Sequence, residues 1–169
     1  MVPENIRSYL RLQNLPVEIL HHPQAVSAQK LAQALHVSGH EVVKSVVVRS
    51  EDGRRFIAVL AATDAVDPAR LGALLGLPGI ELCTEDELQG LFSDCELGAE
   101  PPFGRLYGLP VVMDASLLGR EVLLMRAGSH SEALRMARKD YVRLEQPTVG
   151  DFAGQPPRPM REDEQAIHV

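Results

Sequence analysis

This sequence has little cysteine, no long hydrophobic run and no excess of positive charge. The two cysteines, Cys83 and Cys95, lack CxxC spacing and a nearby histidine pair, so neither a zinc site nor a disulfide framework is indicated. No stretch approaches the roughly 18 apolar residues of a membrane helix, and residues 1–5 lack signal-peptide character. We therefore expect a cytoplasmic protein with free thiols and no membrane contact.

The charge balance limits the class of partner. The formal net charge is −6 over 169 residues, which argues against a protein that coats nucleic acid, such as DNA, through a broad basic surface. A small local basic patch stays compatible with this charge. Because 45% of the residues are hydrophobic, the chain can bury the core of one domain, which we place at residues 1–153. Residues 154–169 are rich in proline and charge and are predicted to form a poorly ordered tail.

The usual catalytic motifs are missing too. The sequence contains no GxxxxGK[ST], GxGxxG, HExxH or GxSxG pattern, so nucleotide hydrolysis, dinucleotide redox chemistry, zinc proteolysis and serine hydrolysis lose their usual support. His21 and His22 are adjacent in a predicted strand and face opposite ways, which disfavours a shared metal ion. We expect no metal and no cofactor.

The hydrophobic pattern predicts a mixed α/β chain. Helices are expected at residues 4–12, after Ser27 with an end at Ser38-Gly39, at 68–75 and at 85–91; strands are expected at 17–21, 42–48, 56–61, 110–114 and 121–125. The Glu51-Asp52-Gly53 turn predicts that the second and third strands form a hairpin. Residues 132–145 have the composition of one helix, but a strand at 133–137 followed by a short helix from Asp140 is also possible.

Lys44 is the most informative residue, because it interrupts a valine-rich strand that otherwise reads as buried on both faces. Strand alternation places it on the same side as Val42, Val46 and Val48. Its ammonium group must therefore reach a cleft, find a partner or be desolvated. Lys44 is a site candidate, and the alternative is a lysine whose stem covers apolar surface while its head reaches water.

Several segments together resemble the YbaK/prolyl-tRNA synthetase-associated domain family. The resemblance spans about residues 4 to 153, and the valine-rich lysine strand and the GxxPPFG loop are its most specific parts. The matching segments are His22-Pro23, Ser27 before an alanine-rich helix, Val43-Lys44-Ser45, residues 95–104, Val112-Met113-Asp114 with Leu117-Leu118, and Gly128-Ser129-His130.

This resemblance implies one domain with a curved, largely antiparallel sheet flanked by helices. It also implies a free-standing trans-editing hydrolase, which cleaves the ester that joins a wrong amino acid to tRNA. Its partner would be aminoacyl-tRNA, expected to be tRNA(Pro), and the resemblance raises prolyl-tRNA synthetase as a second partner. Alanine is slightly favoured over cysteine as the removed amino acid, because the PPFG ending differs from the loop of the cysteine-specific branch.

The family pattern assigns site residues in this chain. Lys44 would hold the phosphate of the 3′-terminal nucleotide or the ester oxygen, and Ser45 would orient the substrate or water. Backbone N–H groups of the loop and of Gly128 are expected to act as neutral donors, and His130 either binds the substrate or supports the loop. The expected substrate-binding set is His22, Gly98, Pro101, Pro102, Phe103, Gly104, Gly128, Ser129 and His130.

Contacts to tRNA are expected from the basic residues Lys30, Arg49, Arg54 and Arg55. A different class of function stays open beside editing. The same pocket would serve a non-catalytic module that binds a free amino acid, a nucleotide or a protein segment, because a shared fold does not fix a shared activity.

Overall fold

The computed structural model describes residues 1–155 as short helices and strands that alternate along the chain. The helices are α1 (Glu4–Leu12), α2 (Ala28–Ala34), α3 (Pro68–Leu75), α4 (Glu85–Leu91), α5 (Gly104–Tyr107) and α6 (Arg138–Glu145), with 3₁₀ turns at Gly39–Glu41 and Ala115–Gly119. The strands are β1 (Val17–His21), β2 (Val43–Arg49), β3 (Arg55–Ala61), β4 (Ala65–Val66), β5 (Glu81–Leu82), β6 (Val111–Asp114), β7 (Val122–Arg126), β8 (Glu132–Ala137), β9 (Thr148–Gly150) and β10 (Ala153–Gly154). In this part of the chain, no helix has the length and apolar character that a membrane crossing requires.

The strands form two main sheets. One has the order β5-β2-β3-β6-β9 and the other the order β1-β8-β7, while β4 pairs with β10. The pairs β3-β6 and β6-β9 are parallel, and the other strand pairs are antiparallel. A parallel bridge between Val42 and Leu124 joins the two sheets. The predicted mixed α/β fold with a largely antiparallel sheet is therefore confirmed.

Strand β3 shows how the core is divided. Ile57 and Val59 belong to a large hydrophobic cluster that also contains β7, β8 and α6 residues, whereas Ala58 and Leu60 pack on the other face with Leu71 of α3. Because side chains alternate between the two faces of a strand, the β2-β3 hairpin is covered on both sides. A third cluster lies beneath α2 and includes Val42.

The start of the predicted tail is still part of the fold. Gly154 pairs with Ala65 across β10 and β4. The rest of the predicted tail, residues 156–169, lies outside the described residues.

Helix α2 ends earlier than its sequence predicts. The Ser27 side chain accepts the backbone N–H of Lys30, as expected of an N-cap, but the helix stops at Ala34, and His36 has φ +56°. Ser38 does not end α2; it caps the next 3₁₀ turn, in which the Glu41 carboxylate accepts the Ser38 backbone N–H. Serine side chains accept the free N–H groups at helix starts, which explains why Ser38 begins the 3₁₀ turn and does not end α2.

Residues 132–145 follow the strand-then-helix alternative. Strand β8 pairs with β1 on one side and β7 on the other, and α6 begins at Arg138, two residues before the predicted Asp140. The helical composition of this segment is overridden because a central strand gains hydrogen bonds on both edges.

Candidate functional site

Lys44 is the second residue of β2, opposite Leu60 at the end of the hairpin away from its turn, and it is half-buried. Desolvation by burial lowers the pKa of its ammonium group, and the nearby charge of Asp64 partly opposes that shift. Among residues 1–155, no carboxylate pairs with Lys44 within 4.0 Å. A half-buried cation without an ion-pair partner is suited to binding a negatively charged group.

Ser45 is the neighbour of Lys44, but its side chain lies on the other face of β2. Alternation places Ser45 on the side of Val43 and Val47, which belong to the large cluster, whereas Lys44 shares its side with Val42 and Val46. The structure therefore does not bring the Ser45 hydroxyl to the Lys44 side chain.

The two sheets meet next to Lys44. Val42 and Leu124 are bridged in parallel and pack in the same cluster under α2, so their side chains share one face. Two residues further along each strand, Lys44 and Arg126 project from that same face. The bridge thus places Lys44 beside the end of β7, which leads directly into Gly128, Ser129 and His130.

The segment from Glu96 to Gly104 is held against this turn by backbone hydrogen bonds. Gly128 N–H donates to the Ala99 carbonyl at 2.8 Å, and Glu96 N–H donates to the Gly128 carbonyl at 3.0 Å. Gly98 has φ +86°, and a Cβ there would lie 3.5 Å from Cε1 of His130. The left-handed conformation explains the glycine, and the contact places His130 against Gly98.

Two of the expected backbone donors are already used within the protein. The Gly98 N–H donates to Oε1 of Glu100 at 3.0 Å, and the Gly128 N–H donates to Ala99, as described above. A backbone N–H makes one good hydrogen bond, so these two groups shape the loop and are not free for a substrate.

His130 bonds to the same segment. Its Nε2 lies 2.7 Å from the Leu97 carbonyl oxygen, and its backbone N–H donates to Oε2 of Glu96 at 2.7 Å. Because a carbonyl only accepts, Nε2 must carry the proton. Nδ1 is buried and has no hydrogen-bond partner among the described residues. Of the two predicted roles, the observed contacts are those of a residue that supports the loop.

His22 and Ser129 lie near this turn and have local partners. Nδ1 of His22 is 2.7 Å from the Pro23 carbonyl oxygen, and the His22 backbone N–H donates to the Ser131 carbonyl. Ser129 is fully buried, and its hydroxyl oxygen accepts the Ser131 backbone N–H. Both residues therefore help to build the turn.

The second half of the loop forms part of the core. Phe103 is fully buried against Tyr9 and Tyr141, whose ring centres lie 5.9 and 6.3 Å away, and the Tyr141 hydroxyl donates to the Pro102 carbonyl at 2.6 Å. A Cβ on Gly104 would lie 2.1 Å from the Leu109 carbonyl oxygen, so only glycine fits there. Like Phe103, Pro101 and Pro102 are buried. These buried residues anchor the loop in the hydrophobic core.

Arg126 was missed by the sequence analysis. It is 3% exposed, and neither terminal nitrogen of its guanidinium has a hydrogen-bond partner within residues 1–155. Burial lowers the pKa of Arg126, and the charges of Glu100 and Glu96 partly oppose this shift. A cation at the end of an apolar strand is the same signal that identified Lys44 and was available at Arg126.

Three of the four expected tRNA contacts are already paired with carboxylates. Arg54 pairs with Asp52 at 2.8 Å, and both Arg49 and Arg55 pair with Glu87. These three arginines lie at the turn end of the hairpin, and Arg49 is five residues along β2 from Lys44, about 16 Å at the rise of a strand. Lys30 is exposed on α2 and forms no ion pair with the described residues.

Within residues 1–155, no three histidine, cysteine or acidic side chains come together in a way that would hold a metal ion. His21 lies instead with its Nδ1 3.3 Å from Oε2 of Glu132. The two cysteines are free thiols.

Comparisons with known proteins agree with this architecture. The model of a family described as the aminoacyl-tRNA editing domain matches residues 22–144. A solved structure of hypothetical protein APE2540 is similar at 20% identity with a TM-score of 0.81, over 89% of this chain and 99% of its own. A solved "putative trans-editing enzyme for prolyl tRNA synthetase" is similar at 23% identity with a TM-score of 0.78, over 89% of this chain and 96% of its own. No curated protein sequence matches significantly.

Proposed function

Because the chain belongs to the aminoacyl-tRNA editing domain family, we propose that it is a deacylase that hydrolyses the ester of mischarged tRNA. The observation that carries this proposal is Lys44, a half-buried cation without a carboxylate partner in the described chain, on a strand bridged to the one that leads into Gly128 and His130. Both the loop and Lys44 lie within the matched residues 22–144.

The reaction needs little covalent chemistry from the protein. An aminoacyl ester is already activated, so the site must position the carbonyl group and a water molecule and stabilise the charge on the tetrahedral oxygen. Water adds to the carbonyl carbon, and the ester bond then breaks, so that the 3′-oxygen of the tRNA leaves with a proton. Lys44 would either stabilise the ester oxygen or hold the phosphate of the terminal nucleotide.

We assign no side chain as the general base. Nε2 of His130 is bonded to the Leu97 carbonyl, and Nδ1 is buried, so neither nitrogen is presented to a water molecule in this conformation. The water would be activated by groups of the substrate or the backbone. His130 would act by holding the loop against the turn.

We propose tRNA(Pro) as the tRNA and a small amino acid, alanine ahead of cysteine, as the group removed. The name of the similar solved trans-editing protein supports the link to prolyl-tRNA synthetase, which would supply the mischarged tRNA in the cytoplasm. Discrimination between small side chains is weak, since one methylene changes binding by about 1–3 kcal/mol. Lys30 is the tRNA contact that we retain, because its charge is not neutralised by a described partner.

The test is release of labelled amino acid from Ala-, Cys- and Ser-tRNA(Pro) and from correctly charged Pro-tRNA(Pro). Wild type is compared with Lys44→Ala and with Lys139→Ala, which removes an exposed lysine on α6. We expect turnover of a mischarged species by wild type and Lys139→Ala, and none by Lys44→Ala with an unchanged circular dichroism spectrum.

Two other outcomes would contradict the proposal. Turnover retained by folded Lys44→Ala would remove Lys44 from the mechanism. No turnover of any species by the folded wild-type protein would favour the non-catalytic binding module, and direct binding of the same tRNAs would then be measured.

A further inference from the structure

Arg126 is the most unusual charged residue in the described chain. Its guanidinium is buried at the end of β7, yet both terminal nitrogens lack a hydrogen-bond partner within residues 1–155, and no carboxylate oxygen there lies within 4.0 Å. Burying an uncompensated cation is costly, so longer-range interactions must offset part of that cost. If position 126 served only to pack the core, an apolar side chain would stabilise the fold more than a buried guanidinium does.

The end of β7 that carries Arg126 lies against the loop, because Gly128, two residues after Arg126, exchanges backbone hydrogen bonds with Ala99 at 2.8 Å and with Glu96 at 3.0 Å. That segment holds two carboxylates, those of Glu96 and of the buried Glu100, and their charges partly oppose the lowering of the Arg126 pKa by burial. Each carboxylate also accepts a backbone N–H that shapes the site: Glu100 accepts that of Gly98 at 3.0 Å, and Glu96 accepts that of His130 at 2.7 Å. Arg126 therefore lies next to the segment whose two carboxylates set the loop conformation and the position of His130.

We infer that Arg126 is a positioning residue, whose buried charge holds the Glu96 and Glu100 carboxylates, and through them the Gly98 loop and His130, in the arrangement used for deacylation. This inference rests on the proposed function. Arg126 acts through the loop, because in a low-dielectric interior a cation attracts carboxylates beyond hydrogen-bond distance. The same two carboxylates would repel a phosphate, which argues against Arg126 as the binding site for the tRNA backbone.

The experiment compares wild type with Arg126→Met, Arg126→Lys and the double variant Arg126→Met/Glu100→Gln. Arg120→Met is the matched control, because Arg120 is also a partly buried arginine with an unpartnered terminal nitrogen in the described chain. Three quantities are measured: kcat and KM for a mischarged tRNA, and the rate of hydrogen exchange at the Gly98 and His130 amides.

We expect Arg126→Met to lower kcat roughly 10- to 100-fold, as loss of a supporting contact in an active site does, with KM changed less than about 3-fold. Exchange at Gly98 and His130 should become faster, while the central strand β3 stays protected. Arg126→Lys keeps the charge and should retain most of the activity. Adding Glu100→Gln to Arg126→Met should restore at least part of kcat, because the uncompensated buried carboxylate is gone.

Arg126→Met with unchanged kcat and unchanged exchange at the two amides would overturn the inference. An Arg126→Met protein that folds only together with Glu100→Gln would support it, since the coupling then appears in stability. Failure to fold with or without Glu100→Gln would overturn it, because Arg126 would then serve the core. If wild type deacylates nothing, the proposed function fails, whereas amide exchange still decides whether Arg126 holds the loop.

Discussion

Nε2 of His130 lies 2.7 Å from the carbonyl oxygen of Leu97, so the turn after β7 is bonded directly to the segment that precedes Gly98. This contact ties together two parts of the chain that are about thirty residues apart in sequence. The bond is partly buried, and loss of the imidazole leaves the Leu97 carbonyl without this donor.

His130→Ala should therefore impair both stability and deacylation. We expect the free energy of unfolding to fall by about 1–3 kcal/mol, because the Leu97 carbonyl loses its donor, and kcat to fall with it. Chemical denaturation and the deacylation assay measure the two effects. His40→Ala is the control, since His40 is exposed and contacts Thr63 away from the loop; equal losses in both variants would contradict the prediction.

Ser45→Ala should leave deacylation nearly unchanged. The Ser45 side chain lies on the face of β2 opposite Lys44, so removing its hydroxyl takes nothing from the side that carries the ammonium group. We expect kcat/KM within about 3-fold of wild type, which is less than 1 kcal/mol. A loss as large as that of Lys44→Ala would show that the hydroxyl takes part in the reaction.

Glu145 should make stability depend on pH near neutrality. Its carboxyl is 5% exposed, and burial raises its pKa to about 7 although the Arg105 backbone N–H and the Tyr9 hydroxyl partly oppose the shift. The folded protein therefore binds a proton that the unfolded chain releases near pH 4.5. Stability from this group is complete below about pH 4.5 and declines as the pH rises to about 7, by about 3 kcal/mol in total.

Denaturant unfolding of Glu145→Gln and wild type between pH 4 and pH 8 tests this. We expect the variant to be the more stable protein at pH 8 and the difference to shrink as the pH falls. Glu18→Gln, at an exposed position of β1, is the control. A difference between Glu145→Gln and wild type that does not change with pH would refute the assignment.

Lys30 and Arg54 should differ in their contribution to tRNA binding. Arg54 is paired with Asp52 at 2.8 Å, whereas Lys30 has no ion pair within the described chain. We expect Lys30→Ala to weaken binding and to reduce the slope of log K against log salt by about 0.7–0.9, the value for one phosphate contact. Arg54→Ala should change neither the affinity nor the salt slope in the same titration. An effect of Arg54→Ala without one of Lys30→Ala would show that the hairpin arginines, and not Lys30, contact the tRNA.

The sequence by itself determined those features that depend on neighbours in the chain. The Glu51-Asp52-Gly53 turn predicted the β2-β3 hairpin, and strand alternation identified the exceptional position of Lys44. The side chain of Ser27, where α2 was predicted to begin, is seen to accept a backbone N–H group. The resemblance to the editing family is confirmed by the family match over residues 22–144. Local hydrogen bonds and strand periodicity act over a few residues, so they can be read directly from sequence.

Only the tertiary structure decided which of these residues meet. It placed β8 between two strands despite its helical composition, bonded His130 to Leu97, and paired Arg49 and Arg55 with Glu87. It also buried Arg126 two residues before Gly128, whose backbone is bonded to the loop. These outcomes depend on contacts between distant segments, where burial and charge compensation outweigh the preferences of each residue taken alone.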